Sequence, residues 1–316
     1  MPRQWKKRLK KNLKEECDSV MTYRQTTLGI IGMGFVGKAV HATLKKHFPV
    51  ITYDKYATGN SMVPSVAALC EKTCIIFVCV PTPMLKNGAC DVSIVESVCA
   101  EIAECKERIT VIIKSTVIPG TTHSLNKKYD NLSVIFNPEF LTEANAVRDF
   151  RDQERIIIGN GRDRAEALAL LRIYETAFPT AKIILTDSTA AEMLKYCTNT
   201  FLALKVSFAN EIYQICKAQD INYKELIELV MLDKRIGSTH WKVPGPMPAS
   251  DNSGRMLPGF SGSCFVKDIN ALIYHAEKLG VDPKVLLGAW QKNLEVRPER
   301  DWEMLKGRAV ADSEKA

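Results

Sequence analysis

A cysteine followed by a lysine and an aspartate is the part of this sequence whose residue types and spacing are best suited to chemistry. Cys264 follows the glycine-rich run LPGFSGS and precedes Lys267 and Asp268. The apolar periodicity after Cys264 predicts a helix, so the thiol is expected at or near a helix N-terminus. The helix dipole and the Lys267 cation would lower the pKa of this thiol and favour the reactive thiolate. Asp268, four residues on, could orient water or act as a base.

Two pairs of polar residues, each four positions apart, could supply the other groups that such a nucleophile needs. Lys195 and Asn199 lie in an otherwise apolar helical segment, so a helix would direct both into a cleft, where they could stabilise an oxyanion or move a proton. Glu139 and Glu143 lie in FNPEFLTEANAV, where a helical turn after the proline would present both carboxylates on one face. A solvated helix face is the ordinary alternative for such acids.

The motif GMGFVG at residues 32–37 has the spacing G-x-G-x-x-G, ends an apolar run and opens a helical pattern. In that context the glycines allow a tight turn, close approach of the backbone to a pyrophosphate and close packing of helix on strand. The next predicted strand ends in Asp54, placed to bind a ribose hydroxyl and repel a 2′-phosphate, which favours NAD over NADP. A cysteine nucleophile beside an NAD site suggests aldehyde oxidation through a thiohemiacetal and a thioester. The predicted cofactor loop comprises Gly32, Met33, Gly34, Phe35, Val36 and Gly37.

Hydroxyl side chains follow two further predicted strands. The segment VPTP places Thr82 between two prolines after the third strand, and Ser115 and Thr116 follow the fourth. Ligands of open α/β sheets bind at the carboxyl ends of the strands, so these hydroxyls are candidate site groups. We expect Val80, Pro81 and Thr82 to form a stiff wall along the cofactor.

Short apolar runs alternate with helical patterns up to Asp187, and helical patterns dominate after it. Most runs are continuously apolar, as in strands covered on both faces. The pattern predicts the α/β class, with a Rossmann-like doubly wound parallel sheet followed by an α-helical central domain that has one long helix from Ser188 to about Gln219. The predicted strands are 28–34, 50–54, 74–80, 110–116, 132–137, 155–160 and 182–187, and later helices are near 223–231, 266–279 and 283–296.

Three regions are predicted: a basic, flexible extension at 1–24, an NAD-binding Rossmann domain at 25–187 and a helical central and dimerisation domain at 188–316. Most of the net charge of +7 lies in the extension, where eight basic residues face three acidic ones, so we expect no nucleic-acid partner. The sequence has no apolar run of 18 residues and no secretory h-region, so we expect no membrane span. Ten cysteines without a CxxC pair or a spaced His/Cys cluster indicate reduced thiols, no metal site and a cytoplasmic location.

Seven motifs between about Leu28 and about Trp302 resemble the UDP-glucose/GDP-mannose dehydrogenase family in their order and spacing. They read GMGFVG, VPTP, KSTVIPGTT, NPEFLTEANAVRDF, AEMLKYCTNTFLALKVSFANEI, DKRIG and GFSGSCFVKD. The resemblance implies a four-electron oxidation of a sugar C6 alcohol to a carboxylate with two NAD per turnover. Phe265, directly after the cysteine, favours UDP-glucose as the nucleotide-sugar substrate.

The resemblance also implies roles for individual residues. Cys264 is the nucleophile, Lys195 and Asn199 stabilise oxyanions, and Asp268 assists Lys195 and the water. Glu139 and Thr116 position or activate that hydrolytic water. The implied cofactor-lining residues are Glu143, Thr82, Ser115, Thr116 and Lys267. The implied substrate-binding residues are Glu139, Phe140, Leu141, Lys195, Asn199, Arg235, Gly259, Phe260 and Cys264, with Arg235 reaching the sugar across a homodimer interface and the long helix forming that interface.

The sequence departs from the family pattern at two points. Ser261 stands where the family motif GFGGSCF has a glycine, which could alter backbone contacts to the sugar. The chain also stops near the point where family members continue into a second Rossmann-like domain that holds the nucleotide. We therefore expect poor nucleotide affinity unless a partner chain or the long loop at 235–263 supplies contacts. Trp241 in that loop could stack on a uracil.

Two other classes of function remain open from the sequence. A two-electron β-hydroxyacid-type dehydrogenase would also join an NAD domain to a helical domain with a Lys-x-x-x-Asn pair, but it would not need Cys264. A non-catalytic NAD-binding partner module would need neither Cys264 nor the Lys195–Asn199 pair. The number of NADH formed per substrate separates these alternatives.

Overall fold

The computed structural model describes residues 26–105, 107–162, 164–245, 249–250 and 253–312. The basic extension predicted at 1–24 lies outside the described residues. Backbone packing divides the chain into two compact units, which are described in turn. The first contains the residues up to Val80 together with Val95–Ser115 and Pro119–Glu192, and the second contains Pro81–Ile94, Thr116–Ile118 and the residues from Met193 onward.

The first unit is built on a seven-stranded sheet. Its strands are β1 Leu28–Ile31, β2 Val50–Tyr53, β3 Ile75–Val78, β4 Ile109–Ile113, β5 Leu132–Phe136, β6 Arg155–Asn160 and β7 Lys182–Asp187. Their order in the sheet is β2-β1-β3-β4-β5-β6-β7. The pairs are parallel except β5 and β6, which meet in antiparallel fashion at Phe136 and Gly159. The predicted doubly wound sheet is therefore confirmed, with one antiparallel junction in a sheet predicted to be parallel.

Continuous apolar runs form the centre of this sheet. Every residue of β1, β3 and β5 is buried, whereas the edge strands β2 and β7 are partly exposed. Each fully buried valine, leucine or isoleucine side chain stabilises the fold by about 1.5–3 kcal/mol. The order reverses at β1, between β2 and β3, and this reversal opens a crevice at the carboxyl ends of the strands.

The helices that precede the long helix connect these strands. They are α1 Phe35–Leu44, α2 Val66–Cys70, α3 Ser93–Ala103, α4 Thr121–Lys128, α5 Ala146–Arg151 and α6 Arg164–Ala177, with 3-10 turns at Thr58–Asn60 and Glu143–Asn145. α1 packs its buried face, which includes Ala39, Val40 and Leu44, into the main apolar core beside β1 and β3.

The long helix α7 spans Ser188–Ala218, as predicted. The carboxylate of Asp187 accepts a hydrogen bond from the Ala190 N–H at 3.1 Å near the start of this helix. Glu192, in the first turns, is fully buried and accepts hydrogen bonds from the N–H groups of Gly120 and Thr122 at 2.6 and 2.8 Å. Glu192 therefore caps the N-terminus of α4, where the chain leaves the end of β4.

The second unit is helical. Besides the remainder of α7 it contains α8 Tyr223–Val230, α9 Phe265–Lys278, α10 Lys284–Val296 and a 3-10 turn at Asp301–Met304. Its main core packs Phe260, Val266, Ile269 and Trp302 together. The segment after the 3-10 turn pairs with Met84, whose N–H donates to the Ala309 carbonyl at 2.9 Å. No helix among the described residues is long and apolar enough to cross a bilayer.

Candidate active site

The turn between β1 and α1 is shaped by two glycines of the predicted cofactor loop. Gly32 has a φ of +90°, a conformation that side chains disfavour, and a Cβ there would lie 2.7 Å from the Cys79 carbonyl oxygen. A Cβ on Gly37 would lie 1.9 Å from the Gly32 carbonyl oxygen. These two glycines are therefore required for the turn itself and for close packing of α1 against it.

The middle glycine of this loop has a different environment. A Cβ on Gly34 would meet nothing within 4 Å, and no side chain caps α1 at Gly34. The first N–H groups of a helix have no partner within the helix and attract anions. The open space at Gly34 and the start of α1 therefore fit a pyrophosphate, as a dinucleotide cofactor requires.

Asp54, directly after β2, lies against the same loop. Its Oδ2 accepts a hydrogen bond from the Met33 N–H at 2.6 Å, and its Oδ1 accepts from the N–H groups of Tyr56 and Ala57 at 2.9 and 2.7 Å. Burial alone would raise the pKa of Asp54, but the N–H donors of Ala57, Met33 and Tyr56 outweigh it and lower this pKa. The carboxylate stays ionised and suits a ribose hydroxyl while repelling a 2′-phosphate.

A cavity of about 400 Å³ opens beside Asp54. Ser61 closes one side of it by donating from its hydroxyl to the Asp54 carbonyl at 3.0 Å and accepting from the Asp54 N–H at 2.8 Å. The cavity is lined by Tyr53, Asp54, Lys55, Thr58, Ser61, Met62, Val63 and Pro64. The sequence reasoning identified only Asp54 among these, although the serine and proline of SMVPS marked a loop.

Buried polar side chains hold the ends of β4 and β5 in the first unit. The Ser115 hydroxyl donates to the Val80 carbonyl at 2.6 Å. The ammonium of Lys114 donates to Asn137 Oδ1 at 2.7 Å, and the Asn137 amide donates to the Ile157 carbonyl at 2.6 Å. The sequence reasoning missed Lys114 and Asn137, whose only signal was a polar residue directly after each apolar run.

The two acids after β5 do not share a helical face. The chain is not helical from residue 137 to 142, and a 3-10 turn begins only at Glu143. Glu139 is buried and its carboxylate accepts from the Leu141 N–H at 2.7 Å, whereas Glu143 is exposed. The predicted helical turn is therefore wrong, because Glu139 binds its own backbone two residues on. Phe140, between them, lies under the Arg155 guanidinium at 4.7 Å.

In the second unit, Cys264 occupies the N-cap position of α9, as the sequence predicted. Asp268, in the first turn of α9, is 1% exposed. Its Oδ1 lies 2.5 Å from the Lys267 ammonium, and its Oδ2 accepts from the Asn199 amide at 2.5 Å. Lys195, one turn before Asn199 on α7, is also buried. α7 and α9 thus bring four of the sequence-predicted catalytic residues into one unit.

The groups around Lys267 keep its side chain protonated. Burial alone would lower the pKa of Lys267, but the Asp268 carboxylate and the thiols of Cys90 and Cys264 raise it well above its ordinary value. The ion pair is almost fully buried, and a buried charge without its partner would be destabilising. Lys267 therefore remains a cation close to both thiols.

Cys90 is a second thiol in this region, and the sequence reasoning did not single it out. Its Sγ lies 3.7 Å from the Thr116 carbonyl oxygen, to which it donates. Burial raises the pKa of Cys90, while the Lys267 cation and the hydroxyls of Tyr196 and Thr82 oppose this rise. We call this group the thiol cluster. It comprises Thr82, Cys90, Thr116, Tyr196, Asn199, Cys264, Lys267 and Asp268.

Three residues linked to substrate binding lie elsewhere in the second unit. Arg235 is exposed and its guanidinium pairs with Asp233. Phe260 is 1% exposed, with its ring in the apolar core beside Phe265 and Trp290. Trp241 is buried in a small cluster with Ala209 and Ile227, so the structure does not offer its indole for stacking on a base. Among the described residues, no group of three or more His, Cys, Asp or Glu side chains could hold a metal ion.

These features define a protein that joins a dinucleotide-binding α/β unit to a helical unit with a polar thiol cluster. Residues 54–178 match the NAD binding domain model of the UDP-glucose/GDP-mannose dehydrogenase family, and residues 189–295 match the central domain model of the same family. This chain belongs to the UDP-glucose/GDP-mannose dehydrogenase family.

Individual relatives agree with this assignment. The chain is 32% identical to the UDP-glucose 6-dehydrogenase of Haloferax volcanii over 333 aligned positions, which cover 91% of this chain and 74% of that protein. It is 35% identical to the GDP-mannose 6-dehydrogenase of Pseudomonas syringae pv. tomato over 237 positions, 70% of this chain and 50% of that protein. The solved UDP-glucose dehydrogenase of Pyrobaculum islandicum superposes with a TM-score of 0.75 at 30% identity, covering 89% of this chain and 70% of that one. The chain thus spans about half the length of the Pseudomonas relative.

Proposed function

We propose that this protein is a nucleotide-sugar 6-dehydrogenase that oxidises the C6 alcohol of UDP-glucose to the carboxylate of UDP-glucuronate with NAD. Family membership supports the nucleotide-sugar substrate, and relatives carry the names UDP-glucose and GDP-mannose 6-dehydrogenase. The observation that carries the proposal is the thiol cluster, in which Cys264 starts a helix beside the buried Lys267–Asp268 pair. A protein that only bound NAD would have no use for this cluster.

The first unit supplies the cofactor site. The start of α1 at Gly34 would hold the pyrophosphate, and Asp54 would bind the ribose next to the adenine, with the adjoining cavity for the base. Two NAD molecules, bound in turn, would supply the oxidising power, since each accepts the hydride of one of the two oxidations. The further residues of this unit that we assign to the cofactor are Val80, Ser115 and Glu143, while the roles predicted for Pro81, Thr82 and Thr116 at the cofactor stay predictions.

Cys264 acts as the nucleophile in the second oxidation. Its thiolate adds to the carbonyl carbon of the aldehyde formed first, which gives a thiohemiacetal, and oxidation of this adduct gives a thioester. Water then hydrolyses the thioester and releases the carboxylate. Covalent attachment keeps the aldehyde from leaving between the two oxidations.

Asn199 and Lys195 stabilise the oxyanions of these steps. An amide nitrogen has two N–H donors, and one of those on Asn199 is engaged by Asp268, which orients the other. Lys195 lies one turn away on the same helix and is 3% exposed, so its charge acts in a region of low dielectric. We assign Glu139 and Thr116 to the hydrolytic water, and Asp268 to assisting Lys195 and that water.

Lys267 receives a more specific role than lining the cofactor. Its ammonium is 2.5 Å from Asp268 and is close to both thiols. We assign it to holding the Asp268 carboxylate in place and to stabilising the Cys264 thiolate as it forms.

The proposed assembly is a homodimer through α7. Phe201, Phe208 and Ile215 recur every seven residues on this helix and are 59, 51 and 48% exposed. A stripe of large apolar side chains at this spacing is typical of a helix that packs against another. In such a dimer, the exposed Arg235 would reach the sugar bound to the second copy. The nine described free cysteines fit a reducing compartment, and we place the protein in the cytoplasm.

The proposal is tested by incubating the protein with NAD and a panel of UDP- and GDP-sugars and measuring NADH formed per sugar consumed. Two NADH per sugar with a uronate product is the expected result for UDP-glucose. One NADH with a carbonyl product would support the β-hydroxyacid-type reaction and contradict ours. NAD binding without turnover of any sugar in the panel would indicate a binding module.

A further inference from the structure

The loop that leads into Cys264 is tied to the 3-10 turn at Asp301–Met304. The Ser261 hydroxyl, three residues before Cys264, donates to Asp301 Oδ2 at 3.1 Å. The same carboxylate oxygen accepts from the Ser250 N–H at 2.6 Å, and the hydroxyls of Ser250 and Ser261 lie 3.3 Å apart. One carboxylate therefore holds both ends of the segment from Ser250 to Ser261.

Asp301 is itself held by a buried cation. The Arg297 guanidinium donates from Nε to Asp301 Oδ1 at 2.6 Å and from Nη2 to Oδ2 at 3.0 Å. Arg297 is completely buried and also donates to the Pro258 carbonyl at 3.2 Å. A bidentate, fully desolvated pair of this kind has a fixed geometry, so it holds the loop more rigidly than an exposed pair would.

Gly259 and Phe260, just before Ser261, are fixed as well. The Asn293 side chain accepts from the Phe260 N–H at 2.7 Å and donates to the Phe260 carbonyl at 3.1 Å. Gly259 has a φ of +71°, and a Cβ there would lie 2.5 Å from Asn293 Oδ1. The backbone just before Ser261 therefore has little freedom to move.

Ser261 itself is buried inside this loop. Its side chain is 0% exposed, and its hydroxyl is engaged by Asp301 and Ser250. The Ser261 hydroxyl thus makes a contact inside the loop. Only Gly262 and Ser263 separate this contact from the cysteine at the start of α9.

We propose that Asp301, fixed by Arg297, is a positioning residue that acts through Ser261 to hold the loop ahead of Cys264 and so keeps its thiol oriented at the start of α9. This inference rests on the proposed function for its catalytic consequence, while its effect on the thiol itself is independent of any substrate. When the hydroxyl of Ser261 or the charge of Asp301 is removed, the loop loosens and the thiol moves away from the helix start and the Lys267 cation.

The test uses Ser261→Ala and Asp301→Asn, with Ser207→Ala as the matched control. Ser207 is also a buried serine of the second unit, and its hydroxyl donates to the Ala289 carbonyl at 2.6 Å and not to a residue of the cysteine loop. Two readouts are compared in the full chain at a temperature well below its melting temperature. One is the rate of Cys264 alkylation by iodoacetamide without substrate, followed by peptide mass spectrometry, and the other is kcat and KM for carboxylate formation.

Misplacement of a catalytic group by about 1 Å costs up to ~100-fold in rate. We therefore expect the rate of Cys264 alkylation and kcat to fall on the order of tenfold in Ser261→Ala, and further in Asp301→Asn. The KM for NAD should stay within about twofold, because the cofactor loop is untouched. Ser207→Ala should lower the melting temperature without changing either readout. If Asp301→Asn does not fold, Ser261→Ala decides the matter alone.

Alkylation of Cys264 in Ser261→Ala at the wild-type rate or faster would overturn the inference, because the contact would then not be what keeps the thiol reactive. A slower alkylation in that variant supports the inference even if the wild-type protein oxidises none of the nucleotide sugars. The failure of the proposed function is therefore distinguishable from the failure of this inference.

Discussion

The cofactor loop of the first unit and the thiol cluster of the second are built by different means. The loop uses backbone: Gly32 and Gly37 leave room for a tight turn, and Gly34 leaves the start of α1 open. The thiol cluster uses buried side chains, in which Asp268 is held by Lys267 and Asn199. The first kind of site depends on the absence of side-chain atoms, and the second on the presence of particular charges.

This difference determines how each site responds to change. A backbone site fails when volume is added, because the neighbouring backbone cannot move aside. A buried polar site fails when one partner is removed, because the remaining charge keeps its desolvation penalty without compensation. Mutations of the two sites should therefore separate cofactor binding from chemistry.

The largest separation between cofactor binding and chemistry is expected from Cys264→Ser. A serine at the start of α9 lacks the nucleophilicity of a thiolate, so carboxylate formation should fall on the order of 10³-fold or more. The affinity for NAD, measured by fluorescence titration, should stay within about twofold because the cofactor loop is unchanged.

Cys90→Ser is the matched control, since Cys90 is the other thiol of the cluster and donates to the Thr116 carbonyl. A serine hydroxyl can make the same hydrogen bond, and we expect carboxylate formation to survive in this variant. If Cys264→Ser still forms the carboxylate at the normal rate, the covalent mechanism is excluded. If only Cys90→Ser loses it, the nucleophile is Cys90.

Added volume in the cofactor loop should weaken NAD binding and leave the thiol cluster unchanged. A Cβ at Gly37 would meet the Gly32 carbonyl oxygen at 1.9 Å, so Gly37→Ala should destabilise the protein by about 1–3 kcal/mol and abolish tight NAD binding. At Gly34 the Cβ would meet no protein atom within 4 Å, so Gly34→Ala should leave the melting temperature unchanged and weaken NAD binding about tenfold, as expected for a group placed where a pyrophosphate approaches.

These two predictions are checked by measuring the melting temperature and the NAD affinity of both variants. The rate of Cys264 alkylation, measured without cofactor, serves as the internal control for the second unit and should not change in Gly34→Ala. Wild-type NAD affinity in Gly34→Ala would contradict the assignment of the start of α1 to the cofactor.

The strands of the fold could be predicted from the sequence because burial on both faces leaves a direct record in continuous apolar runs. The direction of a strand leaves no such record. β6 reads RIIIGN, as apolar as its parallel neighbour β7, KIILTD, yet it meets β5 in antiparallel fashion. The 3-10 turn at Asp301–Met304 was also missed, since it follows Pro298 and has no helical apolar pattern of its own.

The candidate sites also contain residues that could be predicted from the sequence and residues that could not. The cofactor loop was predictable because its geometry demands glycines at fixed spacing within one short segment. Cys90 and Asn137 were not, because each acquires its role only from residues distant in the chain, Thr116 and Lys114 among them. The helical turn expected at Glu139 was mispredicted because helical spacing cannot reveal that the Glu139 carboxylate binds the Leu141 N–H.

The smallest expected effect concerns Asp54, where the cofactor loop does use a charge. Asp54→Asn keeps an oxygen that can accept from Met33 but removes the repulsion of a 2′-phosphate. Because a partly exposed charge contributes about 1 kcal/mol, the preference for NAD over NADP, measured as a ratio of dissociation constants, should fall roughly fivefold.

The pKa of Asp54 is lowered in the folded protein from the ordinary value of 3.8. Its ionised form therefore stabilises the fold above about pH 4, and this contribution is lost as pH falls through the folded value. The unfolding free energy of Asp54→Asn should accordingly change less between pH 5 and about pH 3 than that of the wild type. An unchanged cofactor preference in this variant would show that the backbone around Asp54, and not its charge, selects the cofactor.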